Sequence, residues 1–314
     1  MDYKVLIASC AKYGGIYTYE VKEDKIRPLT VNRMAFPMYM QVREGGVHII
    51  FNGKMGTYAR YVFTKDGLER EGQIYETKGD EPCHLDENGD IFVVNYGSGN
   101  IVKLPEGKVV THEGKGINPA RQESAHTHAC LLSPQKDKIF VTDLGTDEIY
   151  VYDTFLNELN KVKVPDGYGP RHLAFSENGK ILYCVNELIS SISVFEVDGN
   201  DLKYIDTMLC PLDYDGENTA SAIRVVKDGL YIANRGENTL NLFRTKGKNL
   251  EFVQKVDCRG NFPRDFDLSP DGKTLFCCNQ FTSDVTVFTV NEDGTLVYSQ
   301  TITGIENPLC VAFV

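Results

Sequence analysis

The chain has 314 residues, 42% of them hydrophobic and 25% charged, with 33 basic against 44 acidic side chains and a formal net charge of −11. An acidic total argues against a general nucleic-acid binder, which needs a basic footprint to displace counterions, and against a surface that adheres to anionic membranes. It leaves room for a small anion, because a few cations converging in a cleft outweigh a distant negative surface.

Residues 1–10 are too short and too mixed for a signal peptide and read as a β-strand. No apolar run in the chain approaches the roughly 20 residues that cross a bilayer. Whole repeats then start at Pro37, Pro82, Thr127, Pro170, Ala220 and Pro263. Each has a short apolar strand, a turn of the Ser-Pro-Asp-Gly type, a second strand, a polar turn and a third alternating strand. The copies beginning at Pro170 (PRHLAFSENGKILYCVNELISSISVFEV) and Pro263 (PRDFDLSPDGKTLFCCNQFTSDVTVFTV) are the clearest. Starts lie roughly 43–50 residues apart, the spacing of four-stranded propeller blades. The chain ends with a first strand alone, from Pro308, and begins with the later strands of a unit. The two ends complete a seventh blade.

The expected fold is therefore all-β: a seven-bladed β-propeller of four-stranded antiparallel blades, closed by pairing of the N- and C-terminal strands, with residues 1–314 forming one domain. Closure removes the exposed edges of an open sheet. The absence of Trp argues against the Trp-Asp repeat subtype. Between the Pro82 and Thr127 repeats runs a long connection, residues 110–122, carrying Lys115, Asn118 and Arg121. Its composition reads as a solvated loop; the alternative is a strap over the mouth whose cations meet an anion. Nine cysteines, an odd count without a Cys-x-x-Cys pair, point to reduced thiols in a cytoplasm. Cys130, Cys184 and Cys310 lie in apolar strand patterns, as small hydrophobes.

In a propeller blade the entry to the innermost strand and the exit of the second meet at one end of the molecule. Aligned repeats place Cys10, Asn52, Asn95, Asp143, Asn186, Asn234 and Asn279 at the exit, a column that reads as turn-capping architecture. The residue after it varies: Ala11, Gly53, Tyr96, Leu144, Glu187, Arg235, Gln280. Such variation on a repeated scaffold is what a binding site would show. The entry column holds Met38, His128, Arg171, Ser221, Arg264 and Leu309, with Glu81 or His84 in the Pro82 blade. The inferred site is a lopsided pocket with one carboxylate, imidazoles and three guanidiniums, faced by apolar cover. His126 and His128 lie two apart on a strand and resemble half a metal site, but no third ligand follows from the pattern. His172 is expected to face the neighbouring sheet.

The stretch from Gly169-Pro170-Arg171-His172 to Asn186-Glu187-Leu188 resembles the lactonase family of seven-bladed propellers, the bacterial 6-phosphogluconolactonase type. His126-Thr127-His128, Asp143-Leu144-Gly145, Asn95-Tyr96, Asn234-Arg235 and Pro263-Arg264 extend the similarity over the whole chain. The family also includes fungal carboxymuconate-cyclising enzymes. The resemblance implies His128, Arg171, Glu187 and Arg235 as catalytic residues, the same four that the columns bring together. It departs at Ser9-Cys10-Ala11-Lys12-Tyr13 and at Asn52-Gly53, both on the apolar side.

These readings make hydrolysis of a sugar-acid lactone the leading expectation, with 6-phosphogluconolactone the first candidate. Arg171 or Arg235 would stabilise the oxyanion, and Glu187 or His128 would take the proton from water. His126, Arg264, Gln280, Tyr96 and Arg121 would contact substrate. The expected partner is a small anionic sugar lactone, not nucleic acid or membrane, and neither a metal nor another cofactor is expected. The alternatives are a muconate-type lactone cyclase or isomerase, and a non-catalytic propeller binding a small anion or a protein.

Overall fold

The computed structural model describes residues 2–314 apart from Asp24, Glu44 and Lys54. Among the described residues, 28 strands form seven four-stranded sheets, each antiparallel throughout. Blade 1 joins the two ends of the chain: Pro308–Phe313 is its innermost strand and pairs with Tyr3–Ser9. Blades 2 to 7 then occupy residues 37–76, 82–111, 127–163, 170–209, 219–257 and 263–303 in chain order. The alternating patterns build this architecture because each blade buries apolar side chains on both faces. Among the described residues, all seven apolar clusters combine residues of adjacent blades, such as Tyr183 and Val194 with Ile223 and Phe243. Among the described residues no helix is long and apolar enough to cross a membrane.

One local device recurs in every innermost strand. Pairing with the second strand skips a residue just after the start: Leu309, Met38, Cys83, His128, Arg171, Ser221 and Arg264 each sit in such a bulge. A bulge inserts an unpaired residue and re-aims its side chain, here at one mouth of the ring. The entry column of the sequence is thus a column of β-bulges. Its member in blade 3 is Cys83, not Glu81 or His84.

The exit column needs a register correction in two blades. Pro82, Thr127, Pro170, Ala220 and Pro263 pair with Asn95, Asp143, Asn186, Asn234 and Asn279, whereas Pro37 pairs with Phe51 and Pro308 with Ser9. The variable column therefore contains Cys10 and Asn52 in blades 1 and 2, where Ala11 and Gly53 were expected. Its shared signature is an amide bonded to the carbonyl just before the innermost strand: Asn52 to Phe36, Tyr96 to Glu81 and Glu187 to Gly169. At Gly169 (φ 63°) a Cβ would lie 2.6 Å from Leu188 Cγ, so the turn admits only glycine.

The Asn/Asp column is structural. Asn95, Asp143, Asn186, Asn234 and Asn279 are fully buried. Asn186 donates to Ser191 and Ser193, and Asn279 to Asp284 and Thr286. Asp143 Oδ1 accepts the amides of His126, Gly145 and Thr146, while Oδ2 accepts from His112 Nδ1 at 2.8 Å. Removing such a carboxylate strands several buried donors at once. Asp143→Ala is expected to destabilise the protein by about 3–5 kcal/mol, read from the urea midpoint at neutral pH; a change below about 1 kcal/mol would contradict this role.

Candidate active site

A cavity of about 710 Å³ opens at the mouth where bulges and second-strand exits meet. From the bulge column come Met38, Cys83, His128 and Arg264; from the exits come Asn52, Tyr96, Glu187 and Arg235. Arg121 completes the wall from the connection between blades 3 and 4. That connection is a strap rather than a solvated loop. The Gln122 side chain is fully buried and donates to the Leu144 carbonyl at 2.9 Å, while its oxygen accepts the Asn118 amide. His112 anchors the entry, donating to Asp143 and accepting from the Tyr152 hydroxyl at 2.9 Å. Lys115 stays exposed and Asn118 serves the strap.

Glu187 is the hub. Arg171 Nε donates to its Oε2 at 2.8 Å, Arg235 Nη2 lies 3.0 Å from the same oxygen, and Arg121 Nη2 donates to Oε1 at 2.5 Å. Burial alone would raise this carboxyl, but Arg235, Arg171 and their neighbours overcome it and hold Glu187 well below the ordinary glutamate range. This bears on the sequence expectation that Glu187 or His128 takes the proton from water: a carboxylate engaged by three guanidiniums is a weak proton acceptor.

His128 Nε2 lies 4.0 Å from Glu187 Oε2, and its buried Nδ1 has no protein partner among the described residues. Burial, followed by the charge of Arg171, pushes the imidazole well below the ordinary histidine range, so it is neutral near pH 7. A neutral imidazole on a cavity wall has a lone pair to offer.

The arginines divide into two kinds. Arg171 is buried beneath Glu187 and does not line the cavity; its Nη1 donates to the Ser221 carbonyl and meets His172 Nε2 at 3.1 Å. It supports the site from below. Arg235 lines the cavity, with Nη2 also on the Ala220 carbonyl at 3.0 Å and its guanidinium 4.9 Å above the Phe262 ring. Arg264 lines the cavity with no ion-pair or hydrogen-bond partner among the described residues. It is the cavity's uncommitted cation.

Two expectations about position change. His126 precedes the blade 4 strand, and the bulge at His128 breaks the alternation that would have aligned them. Its ring stacks on Tyr96 at 4.5 Å, Nδ1 donates to the Tyr96 carbonyl, and Nε2 meets Glu123. Gln280 occupies the variable column without lining the cavity. His172 meets His128 of the neighbouring sheet edge to face at 5.4 Å, as expected, but it also reaches His84, two blades away, edge to face at 5.3 Å. Among the described residues no group of three or more His, Cys, Asp or Glu is arranged to hold a metal ion.

Of the rim, only Glu81 was visible in the repeats. Tyr214 and Glu217 come from the connection into blade 6, and Glu81 and Phe262 immediately precede innermost strands. Glu81 and Phe262 are left-handed, with φ of 55° and 66°, a conformation shared by Phe36, Gly169 and Asn307 before the same proline. That shared pre-proline position was the available signal. The wall cysteine is inert: burial pushes Cys83 up to about 12, and Cys10 to about 11.

Residues 4–313 match the family described as Lactonase, 7-bladed beta-propeller. The chain belongs to this family. It is 29% identical, over 95% of its length and 94% of the relative's, to the 6-phosphogluconolactonase of Bacillus subtilis (strain 168). Among solved structures this lactonase-family propeller is similar to a protein from Lactobacillus plantarum (TM-score 0.93, 26% identity, all of both chains). It is also similar to the periplasmic gluconolactonase PpgL of Pseudomonas aeruginosa (TM-score 0.90, 25% identity, covering 100% and 99% of the two chains).

Proposed function

We propose that this cavity hydrolyses the lactone of a sugar acid, 6-phosphogluconolactone being the first candidate. The observation that carries the reading is the division of labour around Glu187: one neutral imidazole and the guanidiniums of Arg121, Arg235 and Arg264 share a cavity in which Glu187, the one deeply buried carboxylate among the described lining residues, is already neutralised. Water attacks the ring carbonyl, His128 takes its proton, and Arg235 stabilises the oxygen on which negative charge grows. A positioned base contributes about 10²–10⁴-fold and a single oxyanion donor about 10²–10³-fold. Glu187 holds Arg235 and Arg121 in place, and Arg171 holds Glu187. The relatives named as 6-phosphogluconolactonase and gluconolactonase support the substrate class. They differ over the phosphate.

Arg264 is assigned to that difference, as receptor for a phosphate or carboxylate remote from the ring carbonyl. Arg264→Gln is expected to raise KM for 6-phosphogluconolactone by about 10–100-fold, with kcat within about threefold and no change for unphosphorylated gluconolactone. Equal effects on both substrates would remove Arg264 from this role. The reading as a whole is tested by a lactone panel followed against the spontaneous background, with phosphorylated and plain sugar lactones beside dicarboxylate muconolactones. Acceleration of the sugar lactones supports it. Turnover of muconolactones alone favours the cyclase, and binding without turnover favours a ligand-binding propeller.

A further inference from the structure

The phenol of Tyr96 has a hydrogen without a destination. Tyr96 is the variable-column residue of blade 3 and lines the cavity between Arg121 and His128. Its ring is fixed on both sides, stacked on His126 at 4.5 Å and edge to face with His128 at 5.5 Å. The charge of Arg121 acts on the phenol, and the phenolic O–H has one hydrogen to donate. No acceptor for that O–H exists among the described residues, and the open direction is the cavity.

Lactone hydrolysis leaves a matching task unassigned. When the tetrahedral intermediate collapses, the C–O bond to the ring oxygen breaks and the departing alkoxide requires a proton. His128 has the opposite duty at the attacking water, and a guanidinium is a poor proton donor. The other hydroxyls on the cavity wall are Tyr214, on an exposed connection, and Thr219, an alcohol far less acidic than a phenol. Resting on the lactonase reading, we propose that Tyr96 is the general acid that protonates the leaving ring oxygen, with the Arg121 cation stabilising the phenolate that results. The balance is complete. Water adds to the carbonyl carbon and gives one proton to His128; the ring C–O electron pair leaves with oxygen, which takes the Tyr96 proton. The phenolate is then reprotonated from solvent and His128 releases its proton there, so the net change is lactone plus water to hydroxy acid. Burial opposes ionisation of Tyr96, so the proton is held until the alkoxide forms.

The test compares one sugar acid as its oxygen lactone and as its thiolactone, because a thiolate leaves without prior protonation. Tyr96→Phe retains the ring that packs on His126 and His128 and removes the hydroxyl alone. On the oxygen lactone kcat is expected to fall about 100-fold with KM within about twofold, and on the thiolactone kcat should stay within about threefold of wild type. Equal losses on both substrates, a change confined to KM, or unchanged kcat would each overturn the assignment. Wild-type protein that hydrolyses neither substrate overturns the lactonase reading itself, a result distinct from an active wild type whose variant is unimpaired.

Discussion

Glu187→Gln is expected to lower kcat/KM on the physiological lactone by about 1000-fold and to destabilise the fold by about 3–5 kcal/mol. The carboxylate compensates Arg171 and Arg235, both at least 96% buried, together with half-buried Arg121. A neutral amide of the same size leaves these guanidiniums facing one another in a site of low polarisability, where removing one partner costs far more than the intact network contributes. Arg235 would then lose its position at the reacting carbonyl. Two measurements separate the effects: urea midpoints report stability, and kinetics on the folded fraction report catalysis. Glu187→Asp keeps the charge and should recover stability more than rate, because a shorter side chain cannot meet all three cations. A Glu187→Gln enzyme that is folded and fully active would remove the hub from the mechanism.

Acid should unfold the propeller steeply, and the cause lies beside the same site. His84, His128 and His172 are buried, in edge-to-face contact through His172. Burial and the charge of Arg171 hold all three neutral, with Arg224 also acting on His84 and His172; His84 is held down to about 3 and the others well below the usual histidine value. A histidine whose folded pKa is depressed stabilises the native state fully above its unfolded pKa of about 6.5. Below that value the unfolded chain binds protons that the folded chain refuses. Each such histidine contributes a slope of about 1.4 kcal/mol per pH unit, so three together give about 4 kcal/mol per unit on going below pH 6.5. Domains of ordinary stability, about 5–15 kcal/mol, lose much of it within two units. Glu187, also depressed, adds its own loss at still lower pH. Urea midpoints at pH 8, 7, 6 and 5.5 should be flat above 7 and fall sharply below 6, and His84→Phe should reduce the slope by about one third. A midpoint unchanged from pH 7 to 5.5 would contradict neutral burial of the trio.

Much of this protein was legible because its information repeats. Strand periodicity and turn chemistry are local, so copies 43–50 residues apart reveal blade number, closure and the two columns at the mouth. Even the bulges left a trace, in the charged and polar residues that interrupt apolar innermost strands at Arg171, His128 and Arg264. Where the repeat weakens, the reading slipped: in blades 1 and 2 a polar Asn was missing from the column, and the alignment moved Cys10 and Asn52 by one residue. A strand's register is set by its partner across the ladder, and that partner is not written in the strand itself.

The sequence by itself determined a closed seven-bladed ring and the gathering of His128, Arg171, Glu187 and Arg235 at one mouth. It did so because a repeated position in a propeller has only one place to go. The tertiary structure alone decided which of those groups face the cavity and which stand behind them. Arg171 went beneath Glu187 because it bonds the Ser221 carbonyl of the next blade and the Glu187 carboxylate at the exit of the neighbouring strand. Arg121 joined the wall because a buried glutamine, Gln122, ties an aperiodic strap across the mouth. Roles such as these depend on contacts between residues distant in the chain, and no local pattern encodes which distant partner each side chain will meet.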